Sequence, residues 1–170
     1  MTDQLYCEYQ SPIGPLLLVQ AEQEGRTGLS QVTCHPQADW GLARPGDSPL
    51  LTQAQRQLEE YFAGQRRCFD LPLLERGTAF QLAAWQALRR IPYGQTRSYS
   101  QIAAAIGRPR ACRAVGQANH NNPLLIITPC HRVVGANGSL TGFGGGLEMK
   151  RFLLELEGKT ASATLLASER

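Results

Sequence analysis

Short apolar runs separated by turn-forming residues occupy the first part of the chain, and this pattern is typical of strands. The predicted strands are 5–9, 16–19 and 29–34. Apolar residues then follow at helical spacing over 51–62, with Gly64 where a C-terminal glycine cap belongs. Residues 66–77 are interrupted by proline and glycine and are predicted to form a strand and a connector. The pattern therefore indicates a small domain of strands and one helix over 1–76.

From residue 77 onward the apolar positions take the period of helices. Two Ser/Thr-x-x-Gln capping signals, beginning at Thr78 and Ser98, each precede an apolar helical stripe. Gly107 ends the second of these helices, and helical spacing resumes after a brief turn with Pro109 in a first-turn position. Two short helices around a tight turn containing glycine indicate a helix-turn-helix.

The last part of the chain begins with an apolar run over 124–128, which is predicted to be a buried strand. A glycine-rich loop follows over 135–146, and apolar residues from Met149 to Leu156 predict a final amphipathic helix. The fold class is α+β. The predicted units are an α/β domain with its connector over 1–76, a mainly helical domain over 77–158 and a flexible tail over 159–170.

The composition is that of a folded globular protein, with 42% hydrophobic and 18% charged residues. The net charge of +3 is unevenly distributed. Residues 1–76 hold six Lys/Arg against ten Asp/Glu, whereas residues 77–158 hold nine against three. A basic module beside an acidic one suggests a polyanionic partner, because neutralised phosphates release counterions. An ordinary solvated surface explains the same charge equally well.

No apolar stretch reaches the roughly 18 residues of a membrane-spanning helix, and residues 1–10 lack the features of a signal peptide. We therefore expect a cytoplasmic protein without a membrane partner. The five cysteines show neither a Cys-x-x-Cys pair nor zinc-finger spacing, so reduced thiols and no metal are expected. Cys7, Cys34 and His35 could form part of a metal site, but a buried or surface thiol is the simpler interpretation of each cysteine.

The second helix of the helix-turn-helix has a small, basic outer face. The candidate DNA-binding residues are Arg110, Arg113, Ala114, Gly116 and Gln117. Arg113 projects among two residues with little or no side chain, which lets the helix backbone approach a nucleic acid groove closely. A solvated arginine face is the alternative interpretation of this helix taken alone.

A thiol and a potential base are adjacent at Cys130 and His131, directly after the apolar run. The thiolate is the reactive form of cysteine, and since a free thiol has a pKa of about 8.5, reactivity at neutral pH needs a nearby base or cation. His131 can act as that base if its tautomer is fixed. Glu157, at the margin of the apolar stripe of the last helix, is the candidate partner. A structural cysteine beside a surface histidine is the alternative.

Residues 77–158 closely resemble the active domain of the O6-alkylguanine-DNA alkyltransferases, also called methylated-DNA–protein-cysteine methyltransferases. The matching segments are Ser98-Tyr99, Arg113-Ala114-Val115-Gly116, Asn122-Pro123, Pro129-Cys130-His131-Arg132-Val133, Gly145-Gly146 and Leu156-Glu157-Gly158. They occur in the family's order. Residues 1–76 resemble bacterial members more weakly, through Ser11-Pro12-Ile13-Gly14-Pro15 and Tyr61-Phe62-Ala63-Gly64.

This resemblance implies a ribonuclease H-like N-terminal domain and a C-terminal domain with a winged helix-turn-helix. It implies direct-reversal DNA repair, in which the alkyl group of O6-alkylguanine in duplex DNA moves irreversibly to Cys130, once per molecule. It leaves open whether O4-alkylthymine is also a substrate. The implied protein is a monomer that needs no cofactor, and cooperative assembly on DNA stays open.

The resemblance also implies roles for individual residues. DNA is bound from the minor groove, and Arg113 enters the stack where the damaged nucleotide is flipped out. Tyr99 donates a hydrogen bond to the guanine ring, and Asn122 braces the turn that carries the acceptor. The carbonyls of Cys130 and Val133 accept from the exocyclic amine, and the amide of residue 144 faces O6. The implied base pocket consists of Asn119, Val133, Phe143, Gly144 and Gly145.

One position departs from the family, which usually has tyrosine where this chain has Phe143. Two other functions remain as alternatives: a lesion-binding module without chemistry, against which Cys130 itself argues, and a cysteine hydrolase that uses Cys130 and His131. The glycines of 142–146 suggest a phosphate-binding loop, but no Gly-Lys-Ser/Thr ending follows them, so nucleotide binding is rejected.

Overall fold

The computed structural model describes residues 4–34, 43–140 and 146–168. Contacts divide the chain into two compact units, Met1–Arg76 with Pro123–Ile127, and Gly77–Asn122 with Thr128–Arg170. The predicted domain boundary lies at the same residue, but residues 123–127 were predicted to belong to the second domain. These residues belong to the first unit because their backbone hydrogen-bonds to Val32, from Val32 N to Pro123 O at 2.9 Å and from Leu125 N to Val32 O at 3.0 Å.

The first unit contains a four-stranded sheet in the order β3-β2-β1-β4. Its strands are β1 (Gln4–Ser11), β2 (Gly14–Gln23), β3 (Arg26–Thr33) and β4 (Ala43–Pro45). The three long strands are antiparallel neighbours, and β4 runs parallel to β1. The turn between β2 and β3 has positive φ at both Glu24 and Gly25, which matches the twist of a tight hairpin. The three strands predicted from the sequence are present, each longer than predicted.

Helix α1 (Pro49–Phe62) packs on this sheet. The Ser48 hydroxyl caps its N-terminus by accepting from Leu51 N at 3.0 Å, and Gly64 has the positive φ expected after the helix end. The core of this unit consists of fully buried side chains from the helix and the sheet. They include Leu16, Leu18, Leu29, Val32, Leu51, Ala54, Leu58 and Tyr61.

The predicted strand within 66–77 is reduced to a single bridge between Leu73 and Leu29. Leu29 N donates to Pro72 O at 2.8 Å and Leu74 N to Leu29 O at 2.9 Å. Gly28 permits this approach, because a Cβ at that position would lie 2.9 Å from both the Cβ and the amide nitrogen of Leu74.

The second unit is mainly helical. Its elements are α2 (Ala79–Arg89), β5 (Arg97–Ser98), α3 (Tyr99–Ala105), α4 (Cys112–His120), a 3-10 turn (Cys130–Arg132), β6 (Val133–Val134) and α5 (Leu147–Ser168). Both predicted capping boxes are formed, at Thr78 and at Ser98.

The prediction that Pro109 lies in the first turn of the second helix is wrong. Helix α4 begins at Cys112, and Ala111 N closes a separate turn onto Arg108 O at 2.9 Å.

The predicted strand over 124–128 is also wrong, although its residues are buried as expected. Leu124 forms only an isolated bridge to Val32, and the chain then turns sharply. Ile127 N donates to Leu125 O at 2.8 Å across Ile126, whose φ is 71°. A β-branched residue rarely adopts this conformation, so surrounding contacts must hold it there. An apolar run without alternation identifies burial but not backbone conformation.

The final helix extends to Ser168, so residues 159–168 are helical where the sequence predicted a flexible tail. Alanine and leucine, which favour helices, are frequent in this segment. The Thr160 hydroxyl donates to Leu156 O at 3.0 Å, which is compatible with a continuing helix.

Gly28→Ala should lower the free energy of unfolding by about 1 to 3 kcal/mol, because the new methyl group would overlap Leu74. Gly158→Ala is the matched control: it lies in helix α5 with open space around its Cβ position, and alanine there should stabilise by about 0.5 to 1 kcal/mol. Urea unfolding curves of both variants measure the two changes. Equal stability of Gly28→Ala and the native protein would contradict the close approach.

Candidate active site

Cys130 begins the 3-10 turn and is held by the backbone on both sides. Pro129 has φ −81° and ψ 66°, and Cys130 N donates to Thr128 O at 2.8 Å, so the residue before the thiol forms a compact inverse γ-turn. Val133 N donates back to Cys130 O. Cys130 is only 3% exposed, and the turn that carries it is buried. The backbone therefore fixes the cysteine inside the second unit.

The structure brings together His131 and Glu157, as the sequence predicted. His131 Nε2 lies 2.6 Å from a carboxylate oxygen of Glu157, and the two residues are 0% and 1% exposed. An ionised carboxylate only accepts hydrogen bonds, so Nε2 carries the proton and Nδ1 bears the lone pair. Nδ1 is buried without a hydrogen-bond partner among the described residues. Burial lowers the pKa of His131 against the opposing effect of Glu157, so the ring is a neutral base.

Arg132 is a member of this cluster that the sequence analysis did not assign a role. Its Nε donates to Glu157 Oε1 at 2.8 Å and its Nη2 approaches Glu157 Oε2 at 3.2 Å, while Nη1 donates to Ile91 O at 2.7 Å. Burial alone would raise the pKa of Glu157, but the hydrogen bonds and charges of His131 and Arg132 outweigh it and lower that pKa to about 2. Glu157 is therefore a permanent anion at neutral pH.

The Cys130 thiol has a different electrostatic environment. Burial raises its pKa to about 11, although a hydrogen bond from Asn122, the charge of Lys150 and nearby backbone amides act in the opposite direction. The site therefore holds the sulfur as a protonated thiol at neutral pH. Attack by sulfur requires removal of that proton.

Lys150 was not predicted as a site residue. It is 0% exposed, and its Nζ donates to Val133 O at 2.6 Å. Lys150 and Glu157 are two helical turns apart on α5 and so share one face of the helix. That spacing was visible in the sequence, but a lysine beside an apolar stripe usually extends to solvent, so its burial was not predicted.

Two asparagines contact the backbone around the thiol. Asn122 Nδ2 donates to Thr128 O at 2.8 Å, and the hydroxyl of Thr128 accepts from Arg89 at 2.9 Å. Asn119 Nδ2 donates to Cys130 O at 3.4 Å. The contact of Asn122 is the kind that a bracing role would need.

Tyr99 opens helix α3 directly after β5, and β5 pairs in parallel with β6 through Arg97 with Val133 and Ser98 with Val134. This pairing brings the start of α3 close in space to the strand that follows the cysteine turn. Phe143, Gly144 and Gly145, which the sequence analysis placed in the base pocket, lie outside the described residues.

Helix α4 presents the outer face that its sequence predicted. Arg110, before its first turn, is exposed, as are Arg113, Ala114 and Gln117, and Gly116 is half-buried. On the opposite face Val115 is buried, and Trp85 Nε1 donates to Ala118 O at 2.9 Å, which anchors the helix to α2. Arg113 is therefore carried on a helix that is fixed from behind, and Arg110 lies just before that helix.

Within the ranges that the structure describes, no three His, Cys, Asp or Glu side chains form a group that could hold a metal ion. The Cys7 and Cys34 thiols are half-buried, and His35 lies outside these ranges. None of the described helices is both long and apolar enough to cross a membrane.

Both parts of the chain match models of one protein family. Residues 5–74 match the ribonuclease-like domain of 6-O-methylguanine DNA methyltransferase, and residues 79–159 match its DNA binding domain. The chain is 48% identical to a methylated-DNA–protein-cysteine methyltransferase of Methanosarcina acetivorans, over 90% of this chain and 97% of the relative. It is also 48% identical to the constitutive methylated-DNA–protein-cysteine methyltransferase of Bacillus subtilis, over 89% and 94%.

Solved structures give the same result. The chain resembles the crystal structure of Mycobacterium tuberculosis OGT in complex with DNA, with a TM-score of 0.83 and 49% identity, over 92% of this chain and 94% of that one. A structure of Mycobacterium tuberculosis O6-methylguanine methyltransferase matches with a TM-score of 0.81 and 45% identity, over 94% of each chain. The predicted α+β fold class, with a ribonuclease-like sheet domain and a helical DNA-binding domain, is confirmed.

Glu157→Gln should lower stability in a pH-dependent way. The folded-state pKa of Glu157, about 2, lies below the unfolded value of about 4.3, so its stabilising effect is complete above that unfolded value and is lost as the pH falls toward 2. Glutamine does not titrate and leaves the Arg132 charge uncompensated. The variant should therefore be less stable than the native protein by about 2 to 5 kcal/mol at pH 7, and the difference should shrink below about pH 4.5.

Denaturant unfolding between pH 7 and pH 3 measures this difference. Glu155→Gln, at an exposed position on the same helix, is the control and should change stability little. A stability difference for Glu157→Gln that stays constant down to pH 3 would contradict the buried ion pair.

Proposed function

The chain belongs to the 6-O-methylguanine DNA methyltransferase family, and we propose that Cys130 receives the alkyl group in its reaction. That reaction is direct repair: an alkyl group moves from O6 of guanine in DNA to a cysteine of the protein itself. The observation that carries the proposal is the His131–Glu157 contact of 2.6 Å beside Cys130. Cys130 directly precedes His131 in the sequence, whereas none of the four other cysteines is next to His131 or Glu157 in the sequence.

In the proposed step the thiol proton passes to His131 Nδ1, directly or through a water molecule. The sulfur attacks the alkyl carbon, so an S–C bond forms as the C–O6 bond breaks, and the electron pair of that bond goes to O6. The guanine anion accepts a hydrogen bond from Tyr99 and gains a proton from solvent, and His131 returns its proton to solvent. Glu157 favours the transient imidazolium, because its carboxylate stays ionised beside the ring.

The proposed product is a thioether at Cys130. A thioether sulfur has no leaving group that water could displace easily, so each molecule acts once. The damaged base is both the alkyl donor and the leaving group, so the reaction requires no cofactor. A cysteine hydrolase would instead regenerate its thiol and turn over repeatedly.

DNA binding is assigned to the outer face of α4. The exposed Arg113 stands beside small residues on a helix that Trp85 anchors, and the exposed Arg110 lies just before this helix. This arrangement permits close approach to phosphates and groove edges. The positive net charge of residues 77–158 supports the same partner. Approach from the minor groove, with Arg113 occupying the position of the displaced nucleotide, is the proposed geometry.

The buried position of the sulfur supports base flipping as part of this proposal. Cys130 is 3% exposed, and a base that remains stacked in a duplex cannot reach a thiol inside the protein fold. The pocket for the flipped base is assigned to Tyr99, Asn119 and Val133 together with residues 143–145, which lie outside the described residues. We propose that the protein acts as a monomer, and the cytoplasm remains the expected compartment.

Cys130→Ser should bind lesion-containing duplex DNA with nearly native affinity and transfer no methyl group. Serine keeps the size of the side chain, but its hydroxyl is a far poorer nucleophile than a thiolate. The measurement is mass spectrometry of the Cys130 peptide after incubation with duplex DNA containing O6-methylguanine, together with a binding assay. Cys112→Ser, on helix α4, should retain full transfer. Normal methyl transfer by Cys130→Ser would contradict the assignment, and repeated turnover by the native protein would favour a hydrolase.

Arg113→Ala should slow repair of a lesion in duplex DNA by about 5- to 100-fold. The variant lacks the side chain that fills the gap left in the base stack by the flipped nucleotide. Repair of the same lesion in a single strand should change less, since no base pair has to open. Single-turnover rates on the two substrates test this difference. Arg151→Ala, which removes an exposed charge from helix α5, is the control. Equal losses on both substrates would contradict the proposed role in flipping.

A further inference from the structure

Asn119 contains a buried hydrogen-bond acceptor that the described residues leave unpaired. The residue is 6% exposed, and its Oδ1 has no hydrogen-bond partner within the part of the chain that the structure describes. Buried polar atoms of this kind are uncommon in native proteins, because an unmade hydrogen bond in the interior is costly. An unused acceptor beside a reactive group is therefore a candidate for ligand recognition.

The orientation of the Asn119 amide follows from its neighbour. Its Nδ2 donates to Cys130 O at 3.4 Å, and a carbonyl oxygen can only accept. The amide nitrogen must therefore face Cys130, and the amide oxygen must be the atom that remains without a donor. This contact also places the unused acceptor next to the residue whose sulfur is the proposed alkyl acceptor.

The backbone acceptors nearest the thiol are already engaged. A carbonyl oxygen has two lone pairs, and Cys130 O accepts from both Val133 N and Asn119 Nδ2. Val133 O accepts from Lys150 Nζ at 2.6 Å. The family resemblance implied that these two carbonyls read the exocyclic amine of guanine. Asn119 Oδ1, by contrast, accepts no hydrogen bond from the described residues.

The substrate carries one kind of donor that can meet this oxygen. Alkylation at O6 removes the N1 hydrogen of guanine, so the 2-amino group is the donor left on the pairing edge, among ring nitrogens that only accept. We propose that Asn119 Oδ1 accepts a hydrogen bond from the 2-amino group of the flipped O6-alkylguanine, and that Asn119 is a specificity-determining residue. This inference rests on the proposed function. A base without the amino group leaves Asn119 Oδ1 unpaired, and sites built around a donor reject analogues that lack it.

The test compares two lesions in otherwise identical duplexes: O6-methylguanine, and O6-methylhypoxanthine, which has hydrogen in place of the 2-amino group. Single-turnover rates of methyl transfer give a ratio of the two substrates for each protein. The ratio should favour O6-methylguanine in the native protein, and Asn119→Leu should reduce it by about 5- to 20-fold, the size of one hydrogen bond. Asn121→Leu, at an exposed asparagine two residues further along, should leave the ratio unchanged.

The ratio separates recognition from structural damage. Leucine also removes the contact with Cys130 O, but that loss affects both substrates equally and cancels within each protein. The two lesions also differ in how strongly they pair in the duplex. This difference is the same for every protein, so it cancels when the ratio of a variant is compared with the ratio of the native protein. Asn119→Ala, which adds no bulk, provides a second variant in case leucine is not accommodated, and its ratio should fall in the same way.

The outcomes distinguish this inference from the function on which it rests. No transfer from either lesion to the native protein would overturn the proposed function and this inference together. Transfer from O6-methylguanine with a ratio that neither Asn119 variant changes would overturn the role of Asn119 alone.

Discussion

The site depends on one buried carboxylate. Glu157 lies in the interior, and a charge there is tolerated only when it is paired and hydrogen-bonded. Arg132 supplies a counter-charge through two donors, His131 supplies a further hydrogen bond, and Gly94 N donates to Oε1 at 3.4 Å. Because the carboxylate accepts a hydrogen bond from Nε2–H of His131, it leaves Nδ1 as the ring nitrogen that can act as a base. One anion therefore determines both the charge balance of the site and the nitrogen of His131 that can receive the thiol proton.

The same carboxylate connects two distant segments of the chain. His131 and Arg132 belong to the turn that carries the cysteine, whereas Glu157 belongs to the final helix. Two turns earlier on that helix, Lys150 holds the carbonyl of Val133. The helix thus binds the reactive turn at two points, before and after Leu153, which is fully buried. A conformational change of either segment would alter the position of the thiol.

Local signals in the sequence were sufficient for much of this arrangement. The capping boxes at Thr78 and Ser98 formed as predicted because their hydrogen bonds are made within one helical turn. The approach of His131 to Glu157 was predicted because a carboxylate at the edge of an apolar stripe needs a partner. The role of Arg132 and the burial of Lys150 could not be predicted, since both depend on where α5 crosses the cysteine turn. The turn at Ile126 was missed for a similar reason: hydrogen bonds to β3 impose a backbone conformation that isoleucine does not favour.

The polar atoms around Cys130 differ in whether the protein alone satisfies them. The carboxylate oxygens of Glu157 and the carbonyl of Cys130 have their hydrogen bonds before any substrate arrives. His131 Nδ1 and Asn119 Oδ1 do not, within the described chain. Both are acceptors, and the reaction brings a proton to one and, by our inference, an amino group to the other. Leaving these two buried atoms unpaired lowers the stability of the fold. Both gain a partner only when the thiol proton moves and the correct base enters, so the same two atoms favour the correct substrate in the reaction.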